Sequence, residues 1–304
     1  MRVATFGAHV LDVLATPVDE IPEGQGAALV RDIRMSAAGP AGGTALTLAK
    51  LGAEVYTVGA VGDDDPGRLL ADALGRFGVD TTHLLTTAQP TSMSVLPIRS
   101  NGDRPALHLP GANLAYPLAE APLELLTGVD HVHIGAPELL NPPELAPLLA
   151  DIRATGTTVS ADILADGDPG VLAWIEPVLA HLDYLLPNDD QVRGFTGETN
   201  LITGCRMLIE QGVSCVAPTA GADGAYVVTA DDAEHAPAQE VSVVDTSGCG
   251  DAFSAGFLAA RGHDLDLLDS ARVGCAVAGI VATGLGSDHG DFTWGSITGT
   301  PLGI

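Results

Sequence analysis

The residues of this chain best placed to do chemistry lie together in the stretch Val243-Val244-Asp245-Thr246-Ser247-Gly248-Cys249-Gly250-Asp251-Ala252-Phe253-Ser254-Ala255-Gly256-Phe257. An apolar β-type run ends in a polar turn, two glycines bracket one small residue, an aspartate follows, and an apolar segment with helical spacing begins. The pattern predicts a strand, an anion-binding turn and a helix start. Gly248 and Gly250 are expected to take backbone angles that residues with a Cβ resist, so that successive N–H groups converge on one anion. The helix beginning near Asp251 adds unpaired N–H groups and the positive end of its dipole. Phe253 and Phe257, four apart, share one face of that helix, Gly256 between them would let it approach the sheet, and Arg261-Gly262 give it a basic last turn and a stop.

A carboxylate beside an anion-binding turn repels the phosphate that the turn attracts. Asp251 therefore reads in two ways. It is a helix cap, or it is a general base that takes a proton from a substrate hydroxyl while the turn stabilises charge on a transferring phosphoryl group. The local pattern leaves both open.

Composition narrows the classes of partner. With 304 residues and 46% hydrophobic content, the chain can bury the core of one large α/β domain or of a domain with an appendage. A net charge of −26 excludes bulk attraction to nucleic acid or to an anionic membrane, and it suits a phosphate ligand that arrives with magnesium. Lys50 is the chain's one lysine and follows no glycine run, so the Gly-x-x-x-x-Gly-Lys-Ser/Thr phosphate loop is absent. Cys205, Cys215, Cys249 and Cys275 form no C-x-x-C pair, which fits a reducing compartment. The N-terminus enters a strand directly and no apolar run approaches ~18 residues, so a cytoplasmic location is expected.

The elements that must position Asp251 follow an alternating plan. Strands are predicted at Val3 to Phe6, Glu54 to Val61, Val129 to Gly135, Thr157 to Ile163, Asp183 to Leu186 and Ser214 to Pro218; helices are predicted after Gly43, from Asp65-Pro66 to Gly78, and over Pro143 to Arg153, Gly170 to Ala180, Thr199 to Gln211 and Leu265 to Gly284. Alternation of this kind predicts a mostly parallel sheet covered by helices on both faces, with ligands at the carboxyl ends of its strands. Asp12, Asp162, Asn188 and Asp251 each fall just after a predicted strand. Two segments break the plan. Residues 13 to about 37 read as short strands, and residues 91 to 113 carry a hairpin whose Asn101-Gly102 favours a tight primed turn. Together they predict a small β lid.

At this point the motifs carry a resemblance. Asp245-Thr246-Ser247-Gly248-Cys249-Gly250-Asp251 resembles the C-terminal signature of the PfkB/ribokinase family of sugar and nucleoside kinases, Asp-Thr-x-Gly-Ala-Gly-Asp, with cysteine for alanine. Ala38 to Gly52 is similar to the family's Gly-Gly-x-x-x-Asn-x-Ala segment, with Gly43 where the family has the asparagine that bonds substrate. Pro187-Asn188-Asp189-Asp190-Gln191 is similar to its Asn-x-x-Glu segment with Gln191 for the glutamate, Thr219 to Gly224 to its nucleotide-side turn, and Pro110 to Asn113 to the return of its lid. The resemblance spans residues 1 to about 290.

It implies one ribokinase-like domain over 1-304, a three-layer α/β/α fold with lid segments at about 13-37 and 91-113, and an ATP-dependent phosphotransferase acting on a hydroxymethyl group of a small sugar or sugar derivative. Asp251 would be the base, and the N–H groups of Gly248, Cys249, Gly250 and Asp251 the anion hole. Asp12, Gly39, Gly43 and Asn113 would face the substrate, and Asn188, Thr219, Gly221 and Gly224 the nucleotide. Asn188 and Gln191 would support Mg²⁺-phosphate indirectly, and Asp245 would join a loop that binds K⁺ in some members. A homodimer through the lid is implied as well. Gly43 in place of asparagine is expected to open space for a different or bulkier substrate, with Arg34, Arg99 and Arg104 on the lid available to an acidic substituent. Two other readings stay open: a nucleoside kinase, and a catalytically weak binding protein on the same scaffold. The lid segments lack Phe, Tyr and Trp, so they offer a nucleobase no stacking platform.

Overall fold

Strands buried on both faces need small or apolar residues at every position, and the chain supplies them in register. The computed structural model describes residues 1–299. In chain order its elements are β1 (Arg2–Gly7), β2 (Val10–Thr16), β3 (Asp32–Ala38), α1 (Gly42–Lys50), β4 (Glu54–Gly62), α2 (Asp65–Arg76), β5 (Asp80–Thr87), β6 (Met93–Pro97), β7 (Leu107–Leu109), α3 (Leu123–Leu126), β8 (His131–Gly135), α4 (Pro142–Ala154), β9 (Thr158–Asp162), α5 (Pro169–Leu179), β10 (Tyr184–Leu185), α6 (Asp189–Thr196), α7 (Leu201–Glu210), β11 (Cys215–Val216), β12 (Ala225–Val228), β13 (Ala233–Ala236), α8 (Cys249–Arg261), α9 (Leu267–Val281) and α10 (Trp294–Thr298). The large sheet runs β13-β12-β11-β10-β9-β8-β1-β4-β5. It is parallel from β5 to β11, and β12 and β13 close one edge antiparallel. One apolar cluster joins it to α1, α2, α8 and α9, and a second joins its other face to α4, α5 and α7. That is the three-layer arrangement expected of alternating strands and helices.

The small sheet, in the order β3-β2-β6-β7, is built from the two segments that break the alternation. Its register differs from the hairpin reading. Ser94 pairs with His108 and Val95 with Leu107, so nine residues connect the paired strands. The turn closes from Gly102 N–H to Arg99 carbonyl, and of Asn101 and Gly102 the glycine alone has positive φ. Asn101 instead accepts the Asp103 N–H on its side chain at 3.0 Å, which removes the primed turn. Asp12, expected just after a strand, lies inside β2 and pairs with Ser36 and Ser94 on its two sides.

Two further expectations change. Val243 and Val244 form no strand; both are exposed, and the Val244 N–H bonds the Ala282 carbonyl beyond α9. The turn and helix after them form as predicted. Gly256 meets α9 instead of the sheet: a Cβ there would lie 2.9 Å from the Gly274 Cα, so the two glycines let α8 and α9 pack backbone to backbone. Helix α2 is capped by Asp64, whose side chain accepts the Gly67 and Thr91 N–H groups, and Asp65 sits in the first turn.

Asn113 holds the small sheet's return segment to the core and does not face the cleft. Its Oδ1 accepts the His9 N–H at 3.0 Å and its Nδ2 donates to the His9 carbonyl at 3.0 Å, a two-way clamp on buried backbone. Asn113→Ala would strand both groups, and it is expected to lower the unfolding free energy by about 2 to 4 kcal/mol, measured by denaturant titration.

Candidate active site

The carboxyl ends of β9, β10 and β11 open into a cleft of about 1010 Å³ roofed by the small sheet. Asp12, Ser94, His108 and Arg104 come from the roof. Asp162, Asn188 and Thr219 come from the sheet edge, and residues 246 to 251 form the inner wall. Parallel strands end there because each must cross over through a helix, leaving unpaired polar groups on one rim.

The inner wall is an anion cradle. Gly248 takes φ +74°, which turns the chain into α8, and a Cβ on it would lie 2.3 Å from the Ser287 hydroxyl. The N–H groups of Gly248, Gly250 and Asp251 have no partner among the described residues. Cys249 does not join them: its N–H bonds the Thr246 carbonyl at 3.3 Å, and its thiol, pushed up to about 12 by burial, turns toward the Ala278 carbonyl. Gly250 has no positive φ and its missing side chain would meet nothing within 4 Å, so its role is to leave the mouth of the cradle open.

Asp251 lies in the first turn of α8 and points at α1. A Cβ on Gly43 would fall 2.1 Å from Asp251 Oδ2. The space above Gly43 is therefore filled by the carboxylate of this same chain, which corrects the expectation of a vacated substrate pocket. Burial pushes the Asp251 carboxyl up to about 6, with the positive charge of Arg104 opposing the rise. Asp12 is pushed up to about 7, by burial first and by the nearby charge of Asp251, against a hydrogen bond from Ser94. Asp162 is held well above the carboxylate range by burial and by Asp251. An acid with a raised pKa in the folded state stabilises the fold below its unfolded value and loses that contribution as pH rises through the folded value. For Asp12 and Asp251 that window runs from 3.8 to about 7.

Other predicted site residues divide. Gly39, with φ +88°, lines the cleft beside Pro40, and Thr219 and Gly221 line its far side. Gly224 does not reach it; a Cβ there would strike the Ala236 carbonyl at 2.1 Å, so the glycine shapes the turn below. Gln191 reaches the wall but its amide is spent: Oε1 accepts the Asn188 N–H, and Nε2 donates to the Ile163 and Ala165 carbonyls at 2.9 and 2.8 Å. It braces the rim. Asp245 is buried beneath the cradle, where it accepts the Ser247 N–H and hydroxyl and the Gly286 N–H. Among the described residues no group of three His, Cys, Asp or Glu side chains is placed to hold a metal ion.

Several cleft residues carry no motif signal. Arg104 crosses from the roof, where Nε donates to Thr246 Oγ1 at 2.9 Å. Of the four arginines in the lid segments it alone lines the cleft, since Arg34 is paired with Asp288 and Arg31 and Arg99 are absent from the lining. Glu138 accepts the Leu164 and Ala165 N–H groups on Oε1 and keeps Oε2 buried and unpaired, as is the Ser287 hydroxyl.

Known proteins resemble this chain in sequence and in fold. The pfkB family carbohydrate kinase model matches residues 2–292. The chain belongs to the pfkB family of carbohydrate kinases. An ATP-dependent ribose-1-phosphate kinase of Halopiger xanaduensis is 32% identical over 263 residues, 85% of this chain and 84% of its own length. Fructokinase-2 of Oryza sativa is 29% identical over 83% of this chain and 77% of its own. Among solved structures, a ribokinase of Arabidopsis thaliana with ribose and ATP superposes with TM-score 0.84 at 23% identity, covering 98% of this chain and 97% of that one, which shows the shared fold.

The kinase's Gly43 slot yields a direct test. A methyl group in the slot must displace the Asp251 carboxylate by about 1 Å, a shift that costs about 10²-fold in rate. Gly43→Ala is expected to lose turnover on that scale with its thermal transition retained, measured by coupled ADP release and calorimetry. Gly43→Asn is expected to lose at least as much and to gain no activity on ribose.

Proposed function

We propose that this kinase transfers the γ-phosphoryl group of ATP to a hydroxymethyl group of a small sugar that carries an anionic substituent. The observation that carries the reading is Asp251, a carboxylate fixed by the Gly43 slot with its own N–H and those of Gly248 and Gly250 unpaired beside it. A substrate hydroxyl between Asp251 and the cradle gives up its proton to the carboxylate as its oxygen attacks the phosphoryl group. The N–H groups take the charge that develops on the phosphoryl oxygens, and ADP leaves along the Thr219-Gly221 side. Asp12, on the roof, holds a second hydroxyl. A protein from E. coli solved with ATP and Mg²⁺ shares the fold at TM-score 0.84, and bound Mg²⁺ would neutralise phosphate charge here too. With the Gln191 Nε2 committed to the rim, Asn188, whose Oδ1 accepts the Gln191 N–H at 2.8 Å and keeps a second lone pair, and the exposed Asp190 are the groups that would hold the ion's water shell.

Among the described residues the cleft is lined by no Phe, Tyr or Trp and by one imidazole, that of His108, a poor platform for a nucleobase, which favours a sugar over a nucleoside. Gly43 and Gln191 both have structural uses, so neither substitution argues for an inactive binding scaffold. Asp251→Asn is expected to lower turnover by at least about 10²-fold with little change in nucleotide affinity. The wild-type rate should rise with pH through about 6, where Asp251 ionises, and then level. Near-normal turnover of the variant would reject Asp251 as the base.

Arg104 supports the anionic substituent. It reaches the cleft from the roof with its terminal nitrogens unpaired, and the Halopiger relative acts on a sugar phosphate. Arg104→Gln is expected to raise KM for a sugar phosphate by about tenfold or more and to leave KM for an uncharged sugar unchanged, while the pH profile of both moves up with the Asp251 carboxyl that Arg104 holds down. Equal effects on both would remove the anion from the reading.

The outer face of the roof carries Ile33, Met35, Val95, Leu107 and Leu109, all exposed, with Leu107 at 71%. Register places them on one side, opposite Asp12 and Ser94. We infer that a second copy covers this face through the lid. Wild type is expected to sediment as a dimer and Val95→Glu with Leu107→Glu as a monomer; a monomeric wild type would contradict the contact.

A further inference from the structure

Beyond the cradle, the segment from Gly286 to Gly290 ties together four parts of the molecule. The Gly286 N–H donates to Asp245 Oδ2 at 3.1 Å, and Ser287 packs against Gly248. Asp288 takes Arg34 at 2.7 Å and the Ser36 hydroxyl at 3.0 Å, both from β3 of the roof. The fourth tie is Lys50, the last residue of α1. Its Nζ donates to three successive carbonyls, those of Asp288 at 3.1 Å, His289 at 3.2 Å and Gly290 at 2.5 Å. The Phe292 ring lies 4.1 Å from the same nitrogen and the Phe77 ring 5.8 Å, and among the described residues no carboxylate is within ion-pair distance. Carbonyl oxygens with aromatic faces form the setting that holds a partly dehydrated monovalent cation. A lysine suits it because one compact charge carries three donors; a planar guanidinium cannot aim three at a point.

The family resemblance places K⁺ on the loop that contains Asp245, and the residues present do not fit an added ion. Each Asp245 oxygen already accepts N–H or hydroxyl donors, and the three carbonyls of 288 to 290 are directed at Lys50.

We propose that the Lys50 ammonium stands in for that monovalent cation, pinning the segment that buttresses Gly248 and Asp245 so that the cradle forms without exogenous K⁺. The inference rests on the kinase reading above for its effect on turnover, but its effect on stability does not, and the test reads both. Turnover and thermal midpoint are measured in KCl, NaCl and tetramethylammonium chloride at one ionic strength, for wild type, Lys50→Met and Lys50→Arg. Wild type is expected to vary by less than about twofold in turnover and to keep its midpoint, since an ion with no site adds no binding free energy to the folded state. Lys50→Met leaves a ring of carbonyls open; it is expected to lose turnover and midpoint in tetramethylammonium and to recover part of both in KCl. Lys50→Arg, with the charge but the wrong donor geometry, is expected to fall below wild type in all three salts.

Activation of wild type by K⁺ of about tenfold or more over tetramethylammonium would show a separate ion site and overturn the proposal. A Lys50→Met protein whose midpoint and turnover ignore the cation would reduce Lys50 to a structural pin and overturn it too. If Lys50→Met does not fold, the wild-type salt series and Lys50→Arg decide alone. A wild-type midpoint that ignores the cation and a Lys50→Met midpoint that KCl raises, with no kinase activity on any sugar, would leave the ammonium's place intact and fault the kinase reading instead.

Discussion

The structure depends on keeping one carboxylate in a glycine-sized slot. Asp251 occupies the volume that any side chain at position 43 would need, so the first turns of α1 and α8 must meet with no Cβ between them. Burial there raises the carboxyl toward neutrality, and the lid arginine pulls it back, leaving a group near 6 that is ionised at neutral pH yet basic enough to accept a proton. The same contact fixes the carboxylate relative to the unpaired N–H groups beside it. The carboxylate and the unpaired N–H groups are thus set by one helix start.

Much of the remaining architecture serves that seam. Gly256 and Gly274 bring α9 against α8, and the segment after α9 returns along the cradle, where Ser287 fills the space behind Gly248. Arg34 and Ser36 connect the same segment to the roof, and Arg104 connects the roof directly to Thr246. The roof is therefore tied to the cradle at Thr246 and to the segment behind it at Asp288.

The sheet was readable because its strands are apolar throughout and its helices are capped and stopped by ordinary signals such as Pro66 and Gly78. The motif around Asp251 was readable because its order of residue types is unusual. What the sequence concealed were matters of side-chain direction. Gly43 reads as a lost substrate contact until Asp251 is seen in its place, and Gln191 reads as a weakened metal contact until its amide is seen bracing the rim. Asn113 was assigned to substrate, but both ends of its amide clamp His9. Arg104 could not be told from Arg34 and Arg99, since the hairpin register that aims it inward depends on an Asn101 side-chain bond that competes with the expected turn. Val243 and Val244 failed as a strand because β-type composition does not supply a partner strand.

The central claim is that Asp251 is the proton acceptor, tuned by its slot. Its ionisation can be followed directly by carbon-detected NMR of selectively labelled aspartate side chains, with Asp251→Asn assigning the resonance. The account predicts a carboxyl titrating at about 6 in wild type. It predicts a shift back toward the ordinary value of 3.8 when Gly43→Ala pushes the group out of its slot. A wild-type Asp251 that titrates with the exposed carboxylates, or one that Gly43→Ala leaves unmoved, would contradict it.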